Sequence, residues 1–120
     1  PEPYGSFYDR VANRVSALTE WYLQNDADVQ ERLDSLLPNL AQSHSVVDMR
    51  RRLRHEHAVH PLVDDVTDFL EQELLRPRND IVRERRNDPR IAREMVAALV
   101  EGMEEALTRL RQEQPTDDSG

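Results

Sequence analysis

Cysteine is absent from the 120 residues, and with it go disulfides, thiol catalysis and cysteine-ligated zinc. Lysine is absent too: all 16 basic residues are arginine, a composition that GC-rich coding produces and that carries no mechanism by itself. Aromatic residues make up 5% of the chain, so packing has to rest on leucine, valine, alanine and methionine. The longest apolar run, Met95–Val100, is far too short to span a bilayer, and the start shows no basic-then-apolar signal pattern. A cytoplasmic location without membrane contact is the expectation. Nor is there a glycine-rich phosphate loop, a Gly-x-Ser-x-Gly turn or a Cys–His pair. Carboxylate pairs such as Asp64 and Asp65 are neighbours in sequence and diverge on a helix. Neither an enzyme nor a cofactor is expected.

What the chain does have is charge and helical periodicity. Charged residues are 33%, apolar residues 38% and the net charge −8, which repels DNA phosphates at long range. Tight DNA binding by these residues alone is therefore not expected. A chain of this length forms one domain that buries roughly two-thirds of its unfolded surface. Strand-like alternation never extends beyond a few residues, so the expected fold is all-α, with about five helices.

Phe7, Val11, Val15, Leu18 and Tyr22 recur every third or fourth residue, predicting a first helix from Gly5 or Ser6 to Gln24. Asp26 is placed to cap a second helix carrying Val29, Leu33, Leu36 and Leu37, with Pro38 as its stop. Ser45 and Asp48 resemble a capping box for a third helix with Val46, Met49 and Leu53, which Pro61 ends or kinks. Leu62, Val66, Phe69, Leu70 and Leu74 define a fourth, interrupted at Pro77. Asp88 and Pro89 open the last helix as cap and first residue. Residues 115–120 read as a disordered acidic tail.

The last helix carries Val96, Leu99, Val100, Gly102, Met103, Leu107 and Leu110, part of them in a heptad-like seam. Between Met95 and Val100 it is apolar on nearly every side, so something must cover it all round. Gly102 costs about 1 kcal/mol against alanine inside a helix and marks close approach by another backbone. A central helix wrapped by its own chain is one solution. Self-association is the expected one, with those seven residues as a homodimer interface in which the last two helices form a four-helix bundle.

The run Gly5, Ser6, Phe7, Tyr8, Asp9, Arg10, Val11, Ala12, Asn13, Arg14, followed by Ala17 and Leu18, resembles TetR-type transcriptional regulators. It is similar to the end of their DNA-reading helix and the start of the next one. Leu74 to Pro77, Asp88 to Arg93 and Ala97 to Leu107 more loosely resemble their last helices, which form the dimer bundle in that family. The resemblance implies DNA contacts from Ser6, Tyr8, Arg10 and Arg14. It also implies residues 1–12 as a remnant of the DNA-reading segment, residues 13–114 as a ligand-sensing and dimerisation domain, and a small ligand among the middle helices. The reading head is incomplete in this chain, and DNA would be a partner only with the preceding helices.

Trp21, Tyr22, Met49, Phe69 and Met103 are large, adaptable apolar residues that could line such a pocket or simply build the core. His55, Glu56, His57, His60 and Asp64 are the one cluster with metal-ligand types at close spacing. His57, His60 and Asp64 are its best-placed members, but Pro61 breaks the register and no metal is expected. Arg50, Arg51, Arg52 and Arg54 form a dense basic patch of the kind that binds an anionic ligand or phosphate, read here as a solvated face paired with nearby Asp48, Glu56 and Asp64. Two functional readings stand: the sensing and dimerising body of a TetR-type regulator, or a self-contained homodimeric interaction module without a DNA role.

Overall fold

The computed structural model describes residues 3–56, 61–75 and 88–113, and all regular structure among them is helical. Five helices follow in order: α1 (Pro3–Asn25), α2 (Ala27–Ala41), α3 (Val46–Glu56), α4 (Pro61–Phe69) and α5 (Pro89–Glu113). α4 continues directly into a π-helical segment, Leu70–Leu75. The all-α fold matches the sequence expectation. The expected disordered tail, 115–120, lies outside the described residues.

The helix starts obey local chemistry. Asp26 sits in extended backbone (φ −147°, ψ 113°) and its carboxylate accepts from the Asp28 N–H at 2.9 Å. Asp88 does the same for Arg90 N–H at 2.9 Å, just ahead of Pro89. At α3, Ser45 Oγ accepts from Asp48 N–H at 3.1 Å. The return bond of this box reaches one residue further back, where the Asp48 carboxylate accepts from His44 N–H at 3.0 Å.

Pro38 does not stop α2, which runs on to Ala41. Proline forfeits its own N–H bond one turn back and crowds the carbonyl there, but the N–H groups that follow it still bond. Leu37 and Leu40 on either side of it are buried, Leu40 completely, and their packing holds the last turn. The π segment also has a sequence cause. Leu62, Val66, Leu70 and Leu74 repeat every four residues, against 3.6 per α-helical turn, so each step would rotate the stripe by roughly 40°. A wider turn at Leu70–Leu75 takes up that drift, and Leu70 and Leu74 stay buried.

The core is organised around the pair α1–α5, the most extensive helix contact in the chain. A Cβ added at Gly102 would lie 2.5 Å from the Ala12 carbonyl oxygen and 3.2 Å from the Ser16 nitrogen, so the two backbones nearly touch. Ala98, Gly102 and Ala106 on α5, and Ala12 and Ser16 on α1, are the small buried residues that allow it.

Close packing here leaves some hydroxyls stranded. Thr67 Oγ1 donates to the Val63 carbonyl at 2.7 Å, whereas the Oγ1 of Thr19, fully buried on α1, has no hydrogen-bond partner. Burying an unpaired hydroxyl is unfavourable, and valine has nearly its shape. Thr19→Val is expected to raise stability by about 1 kcal/mol, read as a higher urea midpoint at unchanged slope.

Candidate functional site

α1 is one unbroken helix through the run that resembles the regulators, where the resemblance implies the end of one helix and the start of another. Ser6 lies in its first turns, and Tyr8 is half-buried against the core through its ring. Arg10 and Arg14 are exposed, and each has an aromatic neighbour: Arg10 over Phe7 at 6.0 Å, Arg14 over Phe69 at 5.4 Å. Arg14 thereby ties α1 to the end of α4.

The five pocket candidates differ in burial. Met49 and Met103 are fully buried in the core, while Tyr22 and Phe69 are half-buried at its edge. Trp21 is 57% exposed, edge-on to Tyr22 with centroids 4.8 Å apart. Tyr22 donates its hydroxyl proton to the Asp65 carboxylate. That hydrogen bond, followed by burial and the charges of Asp65 and Asp64, pushes the Tyr22 pKa from 10.0 up to about 12.

The seam on α5 is covered by its own chain. Val96, Leu99, Val100, Gly102, Met103 and Leu107 are all buried in the single chain, and Leu110 is half-buried. The backbone that Gly102 approaches is α1, so the wrapped-helix solution accounts for the glycine and for the all-round apolar segment without a second copy.

Arg50 to Arg54 form a clamp and not a free anion site. Arg50 donates to Glu71 at 2.9 Å, and Arg54 stands 3.7 Å from the same carboxylate in the π segment. Arg51 and Arg52 bind the Asp48 carboxylate at 2.6 and 3.3 Å, and Arg52 reaches on to the Asn39 carbonyl and side chain at the end of α2. Asp48 is 8% exposed. The Arg51 hydrogen bond, then the His44 N–H and the charge of Arg52, hold its carboxyl at about 2, below the ordinary 3.8. Sequence proximity points to Asp48 as a partner but not to Glu71, which is remote in sequence and faces α3 only through the π turn.

Of the weak metal candidates, His57 and His60 lie outside the described residues, and Asp64 is exposed on α4. Among the described residues no three acidic or histidine side chains gather around a metal-sized space.

The concave surfaces lie elsewhere. A concavity of about 650 Å³ between the end of α2 and α5 is lined by Ala41, Gln42, Ser43, Val96, Ala97 and Val100, among others. A second, of about 440 Å³, adjoins it through Ala41 and Glu104 and adds Leu37, Pro38 and Leu107. The Arg111–Asp34 ion pair, at 2.6 Å, closes the far end. A third trough, of about 520 Å³, is lined along α2 by residues such as Asp28, Arg32 and Leu36. None of the three is lined by Trp21, Tyr22, Met49, Phe69 or Met103.

No protein-family model, curated protein or solved structure matches the chain. Among the described residues no helix is long and apolar enough to cross a membrane.

Proposed function

We propose that this chain is a homodimeric all-α interaction module whose working part is its surface. The observation that carries this reading is that none of the five pocket candidates lines any of the three concavities, while Trp21 is 57% exposed. A small-molecule sensor needs such residues around one cavity. The α2–α5 groove offers instead two adjoining, part-apolar concavities of the kind that take a helix. In solution at micromolar concentration the protein is expected to run at twice its 14.0 kDa chain mass by analytical ultracentrifugation. A single species at the chain mass overturns the reading.

A second reading, the body of a TetR-type regulator, is favoured by the run Gly5 to Leu18. In it α1 transmits a ligand-driven shift, and its close seating on α5 at Gly102 suits a rigid lever. Two further helices encoded directly upstream of Pro1, with operator-type DNA retained by that longer protein, would support it. An upstream sequence without a helix-turn-helix pattern removes it.

A further inference from the structure

We propose that two copies of the chain pair antiparallel through α5 about a two-fold axis at Ala97. This rests on the homodimeric reading above and names its surface. Arg90, Arg93, Ala97, Glu101 and Glu104 are all exposed, and at about 100° per residue they share an arc of roughly 80° on the side of α5 away from the core. Their order is self-complementary. Arg93 and Glu101 stand four positions either side of Ala97, and Arg90 and Glu104 stand seven either side. A two-fold axis at Ala97 therefore sets each Arg93 opposite the Glu101 of the second copy, and each Arg90 opposite its Glu104. An isologous interface requires this kind of reciprocity.

Within one chain the arrangement is unrewarded. Arg93, Glu101 and Glu104 have no ion pair among the described residues, and the acid nearest Arg90 is Asp88 at 3.9 Å. Arg90, in the first turn of α5, also sits at the positive end of the helix dipole, which disfavours a cation there. Antiparallel pairing lays each arginine-bearing end beside the glutamates of a second copy and removes that conflict. Ala97 has the smallest side chain on the stripe, so it permits close approach at the axis.

The adjoining groove borders this contact. Val96, Val100 and Ala41 line it beside the stripe, and Ser43, 6% exposed, has a hydroxyl there with no hydrogen-bond partner. The ion pairs fix the orientation of the two copies, and closing the groove excludes water from its walls.

The absence of cysteine makes the test direct. Ala97→Cys places one thiol per chain on the axis, where two Cβ atoms can reach the roughly 4 Å of a disulfide. Mild oxidation is expected to give nearly complete disulfide-linked dimer. Asn13→Cys, at an exposed position of α1, is the control and is expected to give little. Separately, Arg93→Glu and Glu101→Arg are each expected to weaken self-association by about tenfold or more, because like charges then meet twice across the axis. Mixed in equal amounts, the two variants are expected to form a heterodimer at wild-type strength. Circular dichroism should show all four variants folded, since every position is exposed.

If the wild-type protein is a dimer but Ala97→Cys cross-links no better than Asn13→Cys and the mixture is not rescued, the axis at Ala97 is wrong and the homodimeric reading survives. A wild-type monomer at micromolar concentration removes both.

Discussion

Gly102→Ala is expected to destabilise the protein by about 1–2 kcal/mol, although alanine is the better helix former by about 1 kcal/mol. The decisive contact is with backbone: the new methyl would lie 2.5 Å from the Ala12 carbonyl oxygen and 3.1 Å from Val15 Cβ. A flexible side chain could swing aside, but a helical carbonyl cannot without moving α1. Overpacking of this kind costs about 1–3 kcal/mol, which outweighs the gain in propensity. Tm should fall by roughly 5–10 °C. Ala17→Gly, at an exposed position of α1, isolates propensity and is expected to cost about 1 kcal/mol. Gly102→Leu should abolish the cooperative thermal transition. A Gly102→Ala variant as stable as wild type would mean that α1 and α5 do not cross as described.

Acid exposes the second large effect. The Asp48 carboxyl, held at about 2 in the fold, returns to an ordinary value when the chain unfolds. A depressed pKa contributes stability that is fully present above the unfolded value and is lost as pH falls through the folded one. The window is therefore from about pH 4 down to about pH 2. Full conversion of the shift gives about 2 kcal/mol. Its largest cause is the Arg51 contact, and the Arg51 side chain is 78% exposed, so solvent screening brings the expected effect to about 1–2 kcal/mol. Asp48→Asn should cost that much at pH 7, because its amide donors would then face the Arg51 and Arg52 guanidiniums. The difference between wild type and Asp48→Asn should shrink toward zero by about pH 2. Chemical denaturation of both at a series of pH values reads it directly, and a gap independent of pH would show that the clamp works by shape alone.

The capping residues are the most legible part of this chain. Asp26, Ser45 with Asp48, and Asp88 with Pro89 act through bonds to backbone within four residues, so local sequence carries all the information. Periodicity likewise places Val11, Val15, Leu99 and Met103 in the core. Gly102 is legible as a close approach, but not as an approach to Ala12, because spacing says nothing about which distant helix covers a face. The available signal was a matching pattern of small residues: Ala12 and Ser16 stand four apart on α1, as do Ala98, Gly102 and Ala106 on α5. Pro38 misleads because the local cost of a proline inside a helix can be outweighed by packing, and there the buried Leu37 and Leu40 on either side decide the outcome. Glu71 escapes a reading of the sequence because its contact with Arg50 and Arg54 depends on long-range placement, which the π turn sets.

The α1–α5 crossing also sets an order of events during synthesis. The partner of α1 is the last helix described, so the buried face of α1, with Val11 and Val15, has no complete cover until the residues around Gly102 have left the ribosome. Contacts this distant in sequence carry a loop-closure cost before they return any stabilisation, which slows folding relative to helical proteins built from neighbouring pairs. Part of that apolar stripe therefore stays uncovered from the emergence of α1 until that of α5, an interval in which exposed apolar surface favours aggregation.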